Sequence, residues 1–411
     1  MKQAEKLLKT PQFAVALEWL KQDRELTLEQ QMELAQIPSY SNHESEKAGR
    51  FAELVQEAGY ETVTIDAVGN VYTKVKGTKG YPRLLVVGHS DTVFPMDTDL
   101  KIRHGEDGKI YCPGIADDTR AMAEILSMLR AIKAQGLQPV GDIIFGSDVG
   151  EEGPGNMRGV RHLCETLGNE LDGFISIDLA GVGTVVYCGT GAKRYRVTFR
   201  GSGGHSFLNF GTPNPAYALG RAVADISEIL VPAAPRTTFN VGSIGGGSGA
   251  TAIPKEMEMQ IDIRSNGEKE MEWLDKRINV IIQQAVEKEN ARWPESPHAV
   301  TYKIEVLGEL PPANQAEDHP IIYAAFEALE QLKIPYVPRA EGAAGSDSNW
   351  AIRYGIPAVT LGRGGKSGGG HSISEWFLPE EEYKGPQKDL LTIFSLVGLE
   401  GITEPLLETR K

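Results

Sequence analysis

Apolar residues follow two different spacings along this chain, and the changes between them predict where helices and strands lie. Runs of roughly four to eight apolar or β-branched residues predict strands, and longer segments with apolar positions three or four apart predict helices. Two N-terminal segments begin with Thr27 and Ser41, each followed three residues later by Gln or Glu. That spacing matches a helix capping box, so we predict that both residues cap helices.

Strands and helices then alternate through the first half of the chain. The predicted strands are residues 62–65, 71–75, 84–87, 143–145 and 174–177, and the predicted helices are residues 122–134 and 157–167. This order predicts an α/β domain with a mixed sheet flanked by helices. Open α/β sheets place their sites at the carboxyl ends of strands. His89, at the carboxyl end of the predicted buried strand 84–87, is therefore a candidate site residue.

The order of elements changes after residue 191. The following segment contains predicted strands at residues 195–199, 239–244, 257–263 and 302–306, with predicted helices at residues 216–230 and 269–288. After Pro311 and Pro312 the α/β alternation resumes, with a helix at 321–332, a strand at 358–361 and a final helix ending near Leu396. We therefore predict a catalytic domain formed by residues 1–191 and 310–411, interrupted by an inserted α+β domain at residues 192–309.

Composition narrows the possible partners and the compartment. A chain of 411 residues exceeds the ~250–300 residues that one core usually supports, which agrees with two domains. The formal net charge of −14 argues against nucleic acid or an anionic membrane as a partner. Three scattered cysteines without a CxxC pair, and an N-terminus without an apolar signal region, predict a cytoplasmic protein. The glycine-rich stretches 245–249 and 362–370 lack the spacing of a phosphate-binding loop.

The candidate chemistry lies in five short polar clusters. They are His89-Ser-Asp91, Asp117-Asp118, Glu151-Glu152-Gly153, Ser176-Ile-Asp178 and Gly370-His371-Ser372. Each cluster alone has a structural explanation, such as a surface turn, a helix cap or a solvated helix start. Together they supply the imidazole nitrogens and carboxylate oxygens that hold zinc-like ions, with a carboxylate left over to move protons. The set predicts a two-metal hydrolytic site.

In order and spacing, these clusters resemble those of a dizinc metallopeptidase and amidohydrolase family. The family contains peptidase T, glutamate carboxypeptidase, aminoacylase, acetylornithine deacetylase and succinyl-diaminopimelate desuccinylase. The resemblance runs from Ile37-Pro-Ser to His371-Ser-Ile-Ser-Glu375-Trp, nearly the whole chain. The region around His205-Ser-Phe-Leu-Asn-Phe-Gly looks like the lid or dimerisation domain of the peptidase T-like branch. The resemblance thus implies a zinc-exopeptidase-like fold and a homodimer formed through the lid.

The resemblance also implies roles for individual residues. His89 would bind one metal ion and His371 the other, and Asp117 rather than Asp118 would bridge them. Glu152 and Asp178 would complete the two ligand sets. The ions would be two divalent cations, zinc above all, with cobalt or manganese as alternatives.

The other catalytic roles fall to three residues. Glu151 would be the general base for the metal-bound water. Asp91 would accept a hydrogen bond from the second ring nitrogen of His89, which fixes its tautomer. His205 would donate a hydrogen bond to the oxyanion of the tetrahedral intermediate. The alternative is a histidine on the lid surface after Gly203 and Gly204.

Substrate contacts are less sharply indicated. Arg264 could clamp a substrate carboxylate, or form an ion pair on the surface of its strand. Asn240 could contact the substrate backbone. Asp347 could lie near the substrate or cap a helix.

Two features of the motifs differ among members of the family: the basic residue after the bridging Asp, and the residue type at position 178. Relatives often carry a lysine two residues after the bridging Asp, whereas this chain has Thr119 there and its basic residue, Arg120, one position later. Asp at position 178 resembles the aminopeptidase and dipeptidase members, which favours hydrolysis of short peptides. An N-acyl amino acid deacylase or carboxypeptidase stays open as the alternative. A non-catalytic metal-binding relative also stays open, although Glu151 argues against it.

Overall fold

The computed structural model describes residues 3–336 and 345–410. The chain divides into two compact units. Unit 1 comprises Met1–Gly189 and Ala313–Lys411, and unit 2 comprises Thr190–Pro312. From the change of element order, the sequence predicts domain boundaries at 191/192 and 309/310. They lie two and three residues, respectively, from the boundaries between the two units.

The helices and strands are as follows. The described residues form eleven α-helices: α1 (Gln3–Lys9), α2 (Pro11–Gln22), α3 (Arg24–Ala35), α4 (Ser45–Glu57), α5 (Thr119–Gln135), α6 (Arg158–Leu167), α7 (Pro215–Ser227), α8 (Glu268–Ala291), α9 (Pro320–Gln331), α10 (Asp347–Arg353) and α11 (Lys384–Val397). They form seventeen strands: β1 (Val63–Ile65), β2 (Val71–Val75), β3 (Arg83–His89), β4 (Arg103–His104), β5 (Ile110–Tyr111), β6 (Asp142–Asp148), β7 (Gly173–Ile177), β8 (Val185–Val186), β9 (Gly191–Arg200), β10 (Gly204–His205), β11 (Thr237–Gly246), β12 (Ala252–Ile253), β13 (Glu256–Ser265), β14 (Thr301–Leu310), β15 (Ala358–Leu361), β16 (Lys366–Gly368) and β17 (Trp376–Leu378).

Unit 1 is built on a mixed seven-stranded sheet with the order β1-β2-β6-β3-β7-β15-β8. The four strands β6, β3, β7 and β15 run parallel, and β2 and β8 pair antiparallel at either side of them. Helices α5 and α11 pack on β3, and α10 packs on β7. A small sheet of order β16-β17-β5-β4 completes the unit. The predicted α/β architecture is thereby confirmed.

The central strands are apolar on both faces. In β3, Leu84, Leu85, Val86 and Val87 are all buried. Continuous burial is typical of parallel strands that are covered by helices on both sides. The polar residue at the end of β3, His89, is therefore delivered from a rigid part of the core.

Unit 2 has an antiparallel four-stranded sheet of order β11-β13-β9-β14 and the two-stranded pair β10-β12. Along β9 the side chains of Tyr195, Val197 and Phe199 are buried, and the residues between them are less so. This alternation marks a sheet with one face against a core. Helices α7 and α8 form that core with the sheet.

Both capping predictions are wrong. Helix α3 begins at Arg24, so Thr27 lies inside its first turns, where its hydroxyl bonds the carbonyl and carboxylate of Asp23. Helix α4 has Glu44 as its N-cap residue, without a side-chain cap. The hydroxyl of Ser41 instead donates to Asp91, 50 residues away in sequence. A long-range carboxylate outcompetes the local backbone for this hydroxyl.

None of the helices in the described part of the chain is long and apolar enough to cross a membrane.

Candidate metal centre

The side chains predicted from the five clusters in unit 1 meet at one edge of its sheet. His89 ends β3, Asp178 follows β7, and Glu151 and Glu152 lie in the turn after β6. These three strands are parallel neighbours, so their carboxyl ends lie side by side. The topology thus brings together residues that are far apart in the sequence.

Two overlapping groups of side chains have the geometry of metal ligands. The first, here called the strand-end group, contains His89, Asp117, Asp118 and Asp178, with one ligand atom from each within 4.8 Å of the others. The second, here called the loop group, contains Asp117, Glu152 and His371 under the same limit. Only Asp117 belongs to both.

The two oxygens of Asp117 face in the two directions that a bridging ligand requires. Oδ1 lies 3.4 Å from Nε2 of His89, and Oδ2 lies 3.3 Å from Nε2 of His371. Burial would raise the pKa of Asp117, but Arg363 and the two imidazoles hold it well below its usual range. The carboxylate is therefore available as an anionic ligand for two ions at once.

His89 is almost fully buried and is held from both ring nitrogens. Nδ1 lies 3.1 Å from the carbonyl oxygen of Asp91 and 3.5 Å from its carboxylate. Burial lowers the pKa of His89, but the carboxylates of Asp117 and Asp91 outweigh burial and raise it well above its ordinary value. The contact at Nδ1 leaves Nε2 directed at Asp117, as a metal ligand requires.

Asp91 does more than orient His89. Its Oδ1 accepts a hydrogen bond of 2.9 Å from the backbone N–H of Glu151, and its Oδ2 accepts one of 3.1 Å from that of Glu152. Ser41 donates to the same Oδ2 at 2.6 Å. One buried carboxylate thus ties the β3 end to the turn that carries the adjacent Glu pair.

Glu151 belongs to a third ligand-like group, with His89 and Glu152. Burial raises the pKa of Glu151 well above its usual range, and His89 opposes that rise. A carboxylate whose pKa is raised is suited to accept and return a proton.

The remaining member of the loop group is the most exposed. The His371 side chain is 55% exposed, and its Nε2 lies 2.8 Å from Oε1 of Glu152. Hydrogen bonds that the ring donates to the carboxylates of Asp117 and Glu152 raise the pKa of His371 to about 10. Its backbone has a positive φ of 61°.

Glu375 fixes the loop that carries Asp117. Its Oε2 accepts the backbone N–H of Gly114 at 2.8 Å, and its Oε1 accepts those of Ala116 and Asp117 at 3.0 and 2.9 Å. The side chain is buried. Glu375 stands at the end of the motif that begins with His371, and the sequence motif alone predicted no such role for it.

A buried arginine in the centre was missed by the sequence analysis. Nη1 of Arg363 donates to Oδ1 of Asp117 at 2.9 Å and to Oδ1 of Asp118 at 2.7 Å. Burial raises the pKa of Asp118, and Arg363 opposes that rise. Arg363 stands two residues after β15, a strand that was predicted correctly. Its position at a strand's carboxyl end was the available indication, but the stretch 362–370 was interpreted only as a glycine-rich loop.

Arg120, the displaced basic residue, does not reach the ligand groups through any described contact. Its guanidinium donates to Glu124, Gln31 and the carbonyl of Glu382.

Asp347 is the first residue of α10, and Ser346, not Asp347, caps that helix through a capping box with Asn349. Its carboxyl group is buried beside that of Asp148, and burial together with this neighbour raises its pKa well above the usual range.

Three predicted residues lie in unit 2. His205 is exposed on β10, and its Nδ1 accepts hydrogen bonds from the backbone N–H groups of Phe207 and Leu208 at 3.2 and 3.4 Å. Arg264 forms an ion pair with Asp262 at 2.8 Å, and its side chain is 49% exposed. Asn240 is exposed on β11, where it pairs with Asp262 across the sheet.

The residues present fit divalent cations. The donors are imidazole nitrogens and carboxylate oxygens, the ligand types of zinc and related ions. Three carboxylates of the strand-end group face one guanidinium, that of Arg363. Buried negative charge without enough compensating charge is costly, and bound cations remove that cost.

Comparisons with known proteins agree with this geometry. Residues 85–387 match the model of peptidase family M20/M25/M40. A tripeptidase from Staphylococcus aureus has a similar structure, with a TM-score of 0.74 at 23% identity over 90% of this chain and 97% of that one. The YXEP protein of Bacillus subtilis, described as a dinuclear metal binding peptidase from the M20 family, has a TM-score of 0.67 at 16% identity, over 92% of this chain and 99% of that one.

A relative by sequence is a succinyl-diaminopimelate desuccinylase from Bordetella avium. It is 25% identical over 264 residues, which are 60% of this chain and 69% of that protein.

Proposed function

Because the chain belongs to peptidase family M20/M25/M40, a family of metal-dependent hydrolases, we propose that it hydrolyses an amide bond in short peptides with two bound divalent ions. The family resemblance found from the sequence motifs is confirmed by this match, and so is the assignment as a hydrolase. The observation that carries the proposal is the sharing of Asp117 between two ligand groups. Two ions bridged by one carboxylate suit the attack of water on a polarised carbonyl.

The ligand assignment follows the two groups. His89, Asp117 and Asp178 would hold one ion, and Asp117, Glu152 and His371 would hold the other. When bound, such ions lower the pKa of a coordinated water from about 15.7 to about 7 and polarise the substrate carbonyl. The nitrogen and oxygen donors suit zinc, with cobalt or manganese as alternatives.

Glu151 serves as the general base. It lies beside both histidine and carboxylate ligands, and its burial gives it the raised pKa that a proton carrier needs. It takes a proton from the attacking water and returns it to the leaving amine. Such transfer contributes about 10²–10⁴-fold to rate.

Asp91 is a positioning residue in this proposal. It orients His89 and, through two backbone hydrogen bonds, sets the place of Glu151 and Glu152. The proposed base and its neighbouring ligand are therefore fixed relative to β3.

His205 is proposed as the donor to the oxyanion. Because Nδ1 accepts two backbone N–H groups, the proton of the neutral ring lies on Nε2, which is then free to donate. Arg264 and Asn240 are proposed as substrate contacts, and for Arg264 this requires that the ion pair with Asp262 opens. Formation of a homodimer through unit 2 and a cytoplasmic location stay predictions.

Short peptides are the substrate class that the observations favour. Asp178, rather than Glu, occupies the ligand position after β7, and the similar structure from Staphylococcus aureus is a tripeptidase. The second candidate is hydrolysis of N-acyl amino acids, which the likeness to a desuccinylase supports. The two candidates share the same ligands and base.

Turnover on a panel of substrates tests the proposal. The metal-loaded protein is assayed with dipeptides, tripeptides, N-acetyl amino acids and N-succinyl amino acids, beside Glu151→Gln and the exposed control Glu106→Gln. We expect hydrolysis of free-amine peptides, and loss of about 10²–10⁴-fold in kcat for Glu151→Gln with its metal content kept. The control should match the wild type.

Two results would contradict the proposal. Turnover restricted to acylated substrates would replace the peptidase by the deacylase. Wild-type turnover by Glu151→Gln would remove Glu151 as the base.

A further inference from the structure

The segment Gly362–Arg363–Gly364, here called the arginine strap, passes directly beside the ligand groups of unit 1. It leaves β15 at Leu361 and runs next to the chain that follows β7. The backbone N–H and Nε of Arg363 both donate to the carbonyl of Leu179, at 3.1 and 3.2 Å. Arg363 is thus attached to the residue that directly follows Asp178.

Glycine is required on both sides of Arg363 by close backbone approaches. A Cβ at Gly362 would lie 1.9 Å from the carbonyl oxygen of Gly181, and one at Gly364 would lie 2.1 Å from that of Glu382. Both obstacles are backbone atoms, which cannot move aside as a side-chain end can. The strap is therefore packed between two backbone segments.

Buried charged groups hold the backbone of the strap. Nζ of Lys388 donates to the carbonyl of Gly362 at 2.7 Å, and Oε1 of Glu124 accepts the N–H of Gly364 at 2.8 Å. Arg120 donates to the same carboxylate oxygen at 2.7 Å. All three side chains are fully buried or nearly so. The backbone on either side of Arg363 thus has little freedom to shift.

The guanidinium reaches three carboxylates from this fixed base. One nitrogen, Nη1, contacts Oδ1 of Asp117 and Oδ1 of Asp118, at 2.9 and 2.7 Å. Oδ1 of Asp178 lies 3.6 Å from the same atom. The Arg363 side chain is only 7% exposed. A buried, permanently charged group therefore links every carboxylate of the strand-end group.

Both carboxylate oxygens of Asp118 accept hydrogen bonds from other residues of unit 1. Its Oδ2 accepts the backbone N–H of His89 at 2.9 Å, while its Oδ1 accepts from Arg363. Gly88 permits this approach, since a Cβ there would lie 2.8 Å from Oδ2 of Asp118. Although Asp118 stands within the strand-end group, both of its oxygens already have donors.

From these contacts we propose that Arg363 is a positioning residue of the metal centre. It holds Asp117 in the orientation in which its oxygens face two ions, and it pairs with Asp118 so that Asp118 does not compete for them. The proposal rests on the two-ion function proposed above. It explains how two adjacent aspartates acquire different roles. Both oxygens of Asp118 have donors in unit 1, the guanidinium and the N–H of His89, whereas the guanidinium contacts only Oδ1 of Asp117 and leaves Oδ2 facing His371.

Removal of the guanidinium should impair one ion more than the other. Without Arg363, Oδ1 of Asp118 has no donor and becomes a ligand for the nearest cation. Asp117 would then share that cation with Asp118, and its own Oδ1 would no longer be held by Arg363. The first ion then binds at least as tightly as before, whereas the second loses its bridging ligand.

The test measures stepwise zinc affinity, not turnover. Metal-free wild type, Arg363→Met, Arg363→Lys, Asp118→Asn and the double variant Arg363→Met/Asp118→Asn are titrated with zinc against a chromogenic chelator. Bound zinc is counted by plasma mass spectrometry. For Arg363→Met we expect the first ion to be kept and the second to weaken by about 10–100-fold, the usual loss for a group that orients a metal ligand. Arg363→Lys should lie between Arg363→Met and the wild type.

The double variant gives the most specific prediction, which concerns the affinity for the second zinc ion. The amide that replaces the Asp118 carboxylate is neutral and does not attract a cation, so Arg363→Met/Asp118→Asn should recover most of the second affinity. Arg130→Met is the matched control, because Arg130 also forms a largely buried ion pair, with Asp23, away from the ligand groups. It should keep both zinc affinities.

Failure of this inference is distinguishable from failure of the proposed function. Fewer than two zinc ions in the wild type would overturn the two-ion function. Two ions in the wild type with unchanged affinities in Arg363→Met would overturn only the role of Arg363. So would equal weakening of both ions without recovery in the double variant. If Arg363→Met does not fold, Arg363→Lys and the double variant decide between the same outcomes.

Discussion

The strand-end group and the loop group share Asp117 but are built in different ways. In the strand-end group, His89 and Asp178 stand at the ends of parallel strands and are buried, and the side chain of His89 is only 2% exposed. In the loop group, His371 is 55% exposed and follows a run of three glycines. One half of the centre is held by the sheet and the other by a surface loop.

From this difference we expect the strand-end group to be formed before metal binds. Burial and hydrogen bonds to the surrounding chain hold the strand-end side chains in place, so an ion meets a ready set of ligands. The loop group gains order mainly from the contact of His371 with Glu152 and Asp117. We therefore expect the strand-end ion to bind first and the loop ion to bind second and more weakly.

The largest expected effect comes from replacing the two histidines one at a time. In the metal-free protein, His89→Ala should lower the free energy of unfolding by about 2–3 kcal/mol, because it opens a buried polar network. His371→Ala should lower it by less, by about 0.2–1 kcal/mol, because the ring is 55% exposed and solvent screens its ion pairs with Asp117 and Glu152. Denaturant unfolding measures both values.

Metal counts complete this comparison. His371→Ala should retain one zinc ion per chain, and His89→Ala should lose the tighter ion. Equal losses of stability and of metal in the two variants would contradict the distinction between the groups.

A smaller effect should follow from Glu375, which supports both groups through the loop that carries Asp117. Glu375→Ala removes the shared acceptor of three backbone N–H groups, and water that enters the vacated space can accept from them, so the free energy of unfolding should fall by about 1–2 kcal/mol in total. Zinc affinity should fall as well, because Asp117 is no longer held. The control is Glu380→Ala, which removes an exposed ion pair with Lys366 at 2.9 Å and should leave both quantities nearly unchanged.

The smallest effect is a pH dependence of the loop group. The pKa of His371 is raised from 6.5 to about 10 by Asp117 and Glu152, so the ring is protonated at pH 7 in the metal-free protein. A metal ligand must be the neutral imidazole, so zinc binding should release this proton and weaken as pH falls. Calorimetric titrations at pH 7 in buffers of different ionisation enthalpy measure the proton release.

The same pKa sets the sign for stability. Because it is higher in the folded than in the unfolded state, the protonated ring stabilises metal-free protein fully below about pH 6.5, and this contribution is lost as pH rises toward about 10. His371→Ala should remove this part of the pH dependence. A binding enthalpy that is independent of the buffer would contradict the protonated state of His371.

Local patterns in the sequence predicted most of the fold. The strand at 358–361 and the order of elements around His89 and Asp178 follow from apolar runs, because a buried strand needs a continuous apolar sequence. The N-terminal caps failed because Thr27 and Ser41 hydrogen-bond partners that the local pattern does not specify. Ser41 in particular bonds Asp91, which only the folded chain brings near.

The sequence predicted the site residues that lie at strand ends, because polar residues after apolar strands can be recognised locally. It did not predict residues that reach the site through contacts between distant parts of the chain. Arg363 and Glu375 act on Asp117 from far along the chain, at sequence separations of 246 and 258. No spacing rule links residues at that distance. The choice of Asp117 over Asp118 came from family resemblance, and the hydrogen bonds of Asp118 now give that choice a physical reason.

The central claim is a hydrolytic centre of two ions bridged by Asp117. The most direct test adds zinc stepwise to the metal-free protein and measures, at each step, the bound ions per chain and the rate of tripeptide hydrolysis. We expect saturation at two ions, with hydrolysis rising mainly as the second ion binds. Saturation at a single ion, or full hydrolysis by metal-free protein, would contradict it.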